Sequence, residues 1–223
     1  MHTFEEWKKK LIIVRGGGDI ATGTIYKLHQ SRFPVLVLEI ANPSCIRRTI
    51  SFCEAVFDKE VEVEGVIAKR ADSLEEAFAI YEQGQIPVMI DENGSTIETL
   101  HPPVVVDAIL AKKNLGTKIT DAPAVIGVGP GFCAGKDVDA VIETQRGHNL
   151  GRVIYEGEAA PNTGIPGRIA GYAKERVIHA PAAGNLHILK QIGEIVQAGD
   201  TIADIEGTPV KTVIGGVLRG MIR

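Results

Sequence analysis

Apolar runs, glycine turns and helix-like segments alternate along the first half of the chain. An apolar run at residues 11–14 leads into three glycines at residues 16–18, and a helix-like segment follows at residues 21–32. A second apolar run at residues 35–40 completes a strand–helix–strand unit. Continuous apolar strands are typical of a parallel sheet that is covered on both faces. The pattern therefore predicts the opening of an α/β fold.

The glycine turn has the spacing of a dinucleotide-binding fingerprint. Gly16, Gly18 and Ala21 follow the pattern G-x-G-x-x-A between strand and helix, and Glu39 lies about 21 residues after Gly18. Glycines let a pyrophosphate approach the main chain, and the helix N-terminus offers N–H groups and a positive dipole. An acid at the end of the second strand suits unphosphorylated ribose. The predicted nucleotide-binding residues are Gly16, Gly17, Gly18, Asp19, Ile20, Ala21 and Glu39.

The remaining apolar stretches extend this unit into a parallel sheet of about five strands, which predicts a Rossmann-like domain. They predict strands at residues 61–67 and 86–90, helices at residues 44–55 and 73–83, and a strand-to-helix segment at residues 104–112. The helix at residues 44–55 carries Arg47 and Arg48, which either clamp an anionic ligand or lie solvated on a helix face. Cys45 and Cys53 on the same segment are interpreted as small buried apolar residues rather than as nucleophiles.

A second glycine-rich loop, at residues 127–135, follows a predicted strand at residues 125–128. Gly129 and Gly131 favour a nest of backbone N–H groups that binds an anion, and Cys133 is a candidate thiolate. Arg146 and His148 in the next polar loop are candidates for acid–base or ligand-positioning work. A loop with a filler cysteine and a polar loop without chemistry are the alternatives.

The C-terminal stretch is strand-rich, with turns every few residues from about residue 176 onward. It resembles the two pseudo-repeated halves of a barrel-sandwich (biotinyl/lipoyl-like) module. Lys211 lies near the hairpin but outside a modification motif, so a structural or docking element is favoured over a swinging arm. The predicted domains are residues 1–172, with a possible sub-boundary near residue 115, and residues 173–223.

Composition narrows the class of protein. The net charge is −4 with a pI near 5.9 and no basic stripe is visible, which argues against nucleic acid. Three cysteines without close-pair spacing indicate a reducing, cytoplasmic setting, and the histidines lack paired ligand spacing, so no metal site is predicted. No apolar run approaches the roughly 20 residues that span a bilayer. A homo-oligomer stays possible.

Three motifs, at residues 14–23, 120–132 and 143–155, resemble the selenium-dependent molybdenum hydroxylase accessory (YqeB-type) family over nearly the full length. The resemblance implies an accessory role in the maturation of a selenium-containing molybdenum hydroxylase, whose apo-enzyme would be the partner. It implies no established reaction and no assigned catalytic residues.

The sequence thus predicts a cytoplasmic maturation factor that binds a nucleotide-bearing ligand such as NAD or a molybdopterin dinucleotide. Three alternatives stay open. An NAD-dependent oxidoreductase is favoured by Glu39, although no Tyr-x-x-x-Lys or His–Asp hydride-transfer set stands out. A sulfur- or selenium-handling scaffold would use Cys133, and an interaction module would use the C-terminal stretch as its docking surface.

Overall fold

The computed structural model describes residues 3–223 as a mixed α/β protein with one large, mostly parallel sheet and three smaller antiparallel sheets. Two compact units divide the chain, the first ending at Asn162 and the second running from Thr163 to Arg223. The predicted boundary between residues 172 and 173 and the sub-boundary near residue 115 stay predictions. No helix within residues 3–223 has the length and apolar character needed to cross a bilayer.

The helices are α1 (Phe4–Lys8), α2 (Asp19–Gln30), α3 (Ala55–Asp58), α4 (Leu74–Glu82) and α5 (Ser95–Leu100). Short 3-10 helices cover Arg48–Ile50, Phe52–Glu54 and Lys174–Arg176. The strands are β1 (Ile12–Arg15), β2 (Val35–Glu39), β3 (Glu60–Val63), β4 (Val66–Ala71), β5 (Ile86–Ile90), β6 (Val104–Asp107), β7 (Ala124–Val128), β8 (Cys133–Ala134), β9 (Ala140–Ile142), β10 (Val153–Ile154), β11 (Gly157–Glu158), β12 (Leu186–Ile188), β13 (Ile195–Val196), β14 (Thr201–Ile205), β15 (Thr208–Lys211) and β16 (Gly216–Val217).

The large sheet is centred on β1. Its nine strands lie in the order β10-β9-β7-β6-β1-β2-β5-β4-β3. Seven neighbouring strands, from β9 to β4, are parallel, while β10 and β3 pair antiparallel at the two edges. The predicted parallel sheet is confirmed, with more strands than expected. Because parallel strands end at one edge, the segments after β1, β2, β6, β7 and β9 all emerge at the carboxyl edge.

Apolar side chains on both faces explain why β1 lies in the centre of the sheet. Ile12 and Val14 belong to the cluster that contains Ile25 of α2. Ile13 belongs to the cluster on the opposite face, together with Trp7 of α1. All four residues of the strand are buried, as its continuous apolar pattern predicts.

Local structure differs from the sequence prediction at a tight turn. The single strand predicted at residues 61–67 is a hairpin of β3 and β4. Glu64 and Gly65 take positive φ angles of 53° and 78° at its tip, as a two-residue hairpin turn requires. Apolar residues continue to alternate with polar ones up to the turn and resume after it, so the pattern does not reveal that the chain reverses direction.

Two helix predictions are also corrected. Residues 44–55 form two 3-10 helices that lead into α3 rather than one short helix, and no helix follows β6 in residues 108–112. Leu110 and Lys112 have positive φ angles of 59° and 64°, which a right-handed helix excludes. The helix α5, which is capped by the Asp91 carboxylate, was not predicted.

The second unit contains two antiparallel sheets around a small apolar core. One sheet has the order β12-β14-β15, and the other pairs β13 with β16. Val196, Ile202, Ile205, Val210 and Leu218 are buried in this core. The strand-rich prediction is confirmed, and within residues 163–223 the sheets do not close into one barrel.

Candidate functional site

The first glycine turn, residues 16–18, joins β1 to α2 at the carboxyl edge. Gly16 has φ +91°, and a Cβ there would lie 2.9 Å from Ile109 Cα. A Cβ on Gly17 would lie 3.0 Å from the backbone nitrogen of Cys53. Gly18 is different, since no atom lies within 4 Å of its Cβ position. The first two glycines therefore permit close packing, and the third leaves open space in front of the helix.

The N-terminus of α2 begins at this open position. Gly18 is the N-cap residue of this 12-residue helix. It has no side chain that could accept hydrogen bonds from the N–H groups of the first turn. Arg47 Nη1 lies 2.9 Å from Asp19 Oδ2, in a half-exposed ion pair that keeps the guanidinium beside the first turn. Ile20 on the same turn is 47% exposed. The helix N-terminus, the Arg47 cation and the exposed Ile20 side chain are therefore close to one another, although Arg47 comes from a distant part of the chain.

Glu39 at the end of β2 closes the other side of the turn. Its carboxylate accepts hydrogen bonds from the N–H groups of Gly17 and Ile40, each at 2.8 Å. Burial raises the pKa of Glu39, and these two N–H donors act in the opposite direction. The predicted acid therefore lies against the predicted turn.

The segment that contains both 3-10 helices packs directly on the turn. The Cys53 N–H donates to the Gly17 carbonyl at 2.8 Å. The Phe52 N–H donates to Thr22 Oγ1 at 2.9 Å, and the Thr22 hydroxyl donates to the Gly17 carbonyl at 3.1 Å. These bonds fix residues 52–53 against the start of α2.

Three side chains with metal-binding character come together on this segment. The Cys53 thiol donates to Cys45 Sγ at 2.8 Å, and the Cys45 thiol donates to Glu54 Oε1 at 3.5 Å. The hydrogen bond from Cys53 lowers the pKa of Cys45, while the same contact and burial raise the pKa of Cys53. Cys53 and Glu54 are buried, and Cys45 is half-buried.

The second glycine loop is packed tightly by its neighbours. A Cβ on Gly127 would lie 2.5 Å from the Phe132 ring, and one on Gly129 would lie 2.9 Å from both Leu110 Cδ2 and Thr144 Oγ1. Gly131 has φ +113°, and its Cβ would lie 2.7 Å from Lys113 Cα. The loop then enters the short strand β8 instead of a helix. Gly129 and Gly131 are therefore explained by close packing.

The predicted catalytic residues lie in two segments of the chain. Cys133 is half-buried in β8, where its N–H donates to Asp137 Oδ2 at 2.9 Å. Arg146 and His148 are exposed in the loop at residues 144–151. Within residues 3–223, no hydrogen bond or ion pair joins either of them to Cys133. The three residues stay predictions as catalytic groups.

Glu143 has a structural role in that region. It is buried, and its carboxylate accepts hydrogen bonds from the N–H groups of Gln145 at 2.7 Å and Ala160 at 2.8 Å. Burial raises the pKa of Glu143, but N–H donors from Ala160, Gln145 and Thr144 outweigh it and hold the pKa below its usual value. Glu143 thereby anchors the loop that carries Arg146 and His148.

The segment after β6 lies between the two glycine-rich regions. Ile109 contacts the Gly16 position, and Leu110 and Lys113 contact the Gly129 and Gly131 positions. The first glycine turn follows β1 and the second glycine loop follows β7, with β6 between these two strands. Both regions therefore lie at the carboxyl edge of the sheet.

A buried network of polar side chains lies at the same carboxyl edge of the sheet. Arg15 Nη1 lies 3.6 Å from Asp107 Oδ2. Thr117 joins both, because Arg15 donates to its hydroxyl and the hydroxyl donates to Asp107, each at 2.5 Å. The network links the ends of β1 and β6.

Some of these residues lacked a sequence signal. Cys45 and Cys53 were interpreted as apolar filler, because their spacing matches no ligand motif. Asp107 lay inside the strand-to-helix segment predicted at residues 104–112, and its partners Arg15 and Thr117 lie outside that segment.

A shallow cavity of about 350 Å³ lies at the opposite, amino edge of the sheet and touches none of these residues. Its lining residues are Lys10, Ile12, Ser31, Arg32, Phe33, Pro34, Pro103 and Val104. Ligands of open parallel sheets bind outside the carboxyl ends of the strands. The carboxyl edge is therefore the better candidate.

Fold and site define an α/β protein with a glycine turn and an open helix N-terminus at the carboxyl edge of a mostly parallel sheet. The chain is 50% identical over 213 residues, 96% of its length, to a protein of Escherichia coli (strain K12) named "Uncharacterized protein YqeB". The chain is therefore similar to part of that protein. The chain spans 39% of the length of that relative. No family model and no solved structure matches the chain.

Proposed function

We propose that this chain binds a nucleotide-bearing ligand at the first glycine turn and serves as an accessory factor in the maturation of a selenium-dependent molybdenum hydroxylase. One observation carries the binding proposal: Gly18, the N-cap residue of α2, supplies no side-chain cap, and the space at its Cβ position is open. Anions bind at such helix termini through N–H groups and the helix dipole. NAD and a molybdopterin dinucleotide both carry the required pyrophosphate.

A Rossmann-like assignment of the first unit is part of the proposal. The parallel strand β4 lies outside β5. When β4 is left out, the other six parallel strands follow the order β5-β2-β1-β6-β7-β9, which in chain order is the arrangement 3-2-1-4-5-6. In that arrangement the dinucleotide crosses the point where the strand order reverses, beside the first strand. The first glycine turn follows β1 at this point.

Each residue around the turn has a proposed role. The N–H groups from Gly18 to Ala21 receive the pyrophosphate, and Arg47 approaches it from its ion pair with Asp19. Glu39 accepts hydrogen bonds from ribose hydroxyls, and its charge disfavours a 2′-phosphate. Exposed Ile20 offers an apolar contact to a base.

The maturation role is supported by the resemblance to the YqeB-type accessory family. The partner would be the apo-hydroxylase. The second unit is proposed as a barrel-sandwich-like docking module, because its two antiparallel sheets enclose a single apolar core. Its hairpin of β14 and β15 turns at Glu206 and Gly207, and Lys211 pairs with Thr201 at the other end of the two strands.

An NAD-dependent oxidoreductase is the second candidate, because Glu39 lies where an acid binds the ribose of NAD. The two candidates differ in turnover. An oxidoreductase consumes NADH when a substrate is present, whereas an accessory factor binds NADH or another dinucleotide without oxidising it. Fluorescence of NADH reports both binding and consumption.

Calorimetric titration with ADP, GDP and CDP tests the binding proposal, since each supplies a pyrophosphate and an unphosphorylated ribose. We expect at least one to bind the wild-type protein with one-to-one stoichiometry. Gly18→Asp should weaken it at least tenfold, or about 1.4 kcal/mol, because a carboxylate repels the phosphates. Gly18→Asn, which has the same size without the charge, should lose less affinity. Absence of binding, or equal binding to Gly18→Asp, contradicts the proposal.

A cellular assay tests the maturation role separately. In a strain that makes a selenium-dependent molybdenum hydroxylase, removal of the full-length protein should leave that hydroxylase inactive. The wild-type gene should restore its activity, whereas the Gly18→Asp gene should not. Full hydroxylase activity without the protein would refute the maturation role and leave nucleotide binding unaffected.

A further inference from the structure

Cys45, Cys53 and Glu54 form a cluster that nucleotide binding does not use. One potential ligand atom from each side chain lies within 4.8 Å of the other two. We propose that these three residues form a binding site for a zinc-type divalent cation. The site goes beyond the proposed function and does not depend on a nucleotide.

The backbone holds two of the three ligands in place before any metal binds. Cys53 and Glu54 belong to the 3-10 helix Phe52–Glu54. The Cys53 N–H donates to the Gly17 carbonyl, and the Phe52 N–H donates to Thr22 Oγ1. These two bonds fix the main chain that carries the Cys53 and Glu54 side chains.

Burial also favours a metal site. Cys53 is 0% exposed and Glu54 is 4% exposed, so both are shielded from competing water. Cys45 is half-buried and lies on the solvent side of the cluster. A cation can therefore reach the site past Cys45.

The donor set selects the class of metal. Two thiolates and one carboxylate suit Zn²⁺, whereas Mg²⁺ and Ca²⁺ prefer oxygen ligands alone. Zn–S bonds of about 2.3 Å in a tetrahedron require sulfur atoms about 3.8 Å apart. The sulfur atoms of Cys45 and Cys53 are 2.8 Å apart, so Cys45 must rotate outward when the metal binds. Three protein ligands leave the fourth tetrahedral position for water or another ligand.

The third cysteine provides a matched control. Cys133 lies in β8, in the second glycine loop, and takes no part in the cluster. A Cys133→Ser variant removes one thiol and leaves all three proposed ligands in place.

Cobalt titration of metal-free protein, prepared under reducing conditions, tests the site. The wild-type protein should bind one equivalent of Co²⁺ with a sulfur-to-cobalt charge-transfer absorption, and Zn²⁺ should displace it. Cys45→Ser and Cys53→Ser should each reduce the affinity at least tenfold and weaken that absorption. Glu54→Gln should keep the absorption and bind more weakly. Cys133→Ser should match the wild type in affinity and spectrum.

Three results would overturn the proposal. The first is a wild-type protein that binds no stoichiometric Co²⁺ or Zn²⁺. The second is an equal loss of metal affinity in Cys133→Ser and Cys45→Ser. The third is a Cys45–Cys53 disulfide that persists under reducing conditions. Cys45 is half-buried, so Cys45→Ser gives a valid result even where the fully buried Cys53→Ser fails to fold. Circular dichroism of each variant checks the fold.

Discussion

The two glycine-rich regions at the carboxyl edge have similar composition and different environments. Residues 16–18 lead into a 12-residue helix, and the Cβ position of Gly18 is open. Residues 127–135 contain the two-residue strand β8, and Gly127, Gly129 and Gly131 are each packed against a neighbour. The first region is therefore the proposed anion site, while the glycines of the second lie against neighbouring chain segments.

Glycine content alone therefore does not define a phosphate site. A phosphate site at a helix terminus also requires accessible first-turn N–H groups and an open approach to them. At the second region no helix follows the loop, and Leu110 and Lys113 lie against Gly129 and Gly131. The following predictions test this difference, beginning with the network that supports both regions.

Asp107→Ala should have the largest effect on stability. It leaves the Arg15 guanidinium buried without its carboxylate, and the removal of one partner from a buried ion pair costs about 3–5 kcal/mol. Urea unfolding measures the loss. Asp72→Ala breaks the exposed Arg70–Asp72 pair and should cost less than about 1 kcal/mol. Equal losses in both variants would show that the network does not hold the edge together.

Gly131→Ala should destabilise the protein by about 2–3 kcal/mol, because it adds backbone strain at φ +113° to an overlap with Lys113. Gly135→Ala is the matched control in the same loop. Its φ is +82°, but its Cβ position is open, so only the strain of about 1 kcal/mol remains. Thermal or urea unfolding that ranks Gly135→Ala as the worse variant would contradict close packing at Gly131.

A smaller, pH-dependent effect is expected at Glu39. Burial raises its pKa in the folded state, so between its usual and raised pKa the folded protein holds more protons than the unfolded chain. Stability therefore falls as pH rises through that window. Glu39→Gln should flatten this slope in urea unfolding measured across pH. An unchanged slope would contradict the burial of a charged Glu39 against the turn.

Gly18→Ala should have the smallest effect on stability. The φ of Gly18 is −65° and its Cβ position is open, so we expect a change within about 0.5 kcal/mol. Unfolding midpoints of this variant and the wild type provide the comparison. A loss as large as that of Gly131→Ala would mean that the first turn is packed as tightly as the second.

Local patterns in the sequence predicted the first region well. The strand, the glycine turn, the helix and Glu39 lie within about 30 residues, and their spacing alone indicates how they fold. The parallel sheet followed from the same apolar runs. The Glu64–Gly65 hairpin and α5 were missed, because each depends on a turn or cap that the apolar pattern does not show.

Contacts between distant residues were beyond prediction. Gly131 is packed by Lys113 and Gly129 by Thr144, each from a different loop. The cluster of Cys45 and Cys53 depends on 3-10 helices that fold back onto Gly17, where the sequence predicted an ordinary helix. Such contacts are set by tertiary packing, which no local spacing encodes.

Amide hydrogen exchange with and without a nucleoside diphosphate that binds tests the central claim most directly. The ligand should slow exchange in a peptide that covers residues 16–22 and leave residues 127–135 unchanged. Gly18→Asp should abolish that protection at the same ligand concentration. Protection at residues 127–135 with none at residues 16–22 would show that the second glycine loop, rather than the first, binds the ligand.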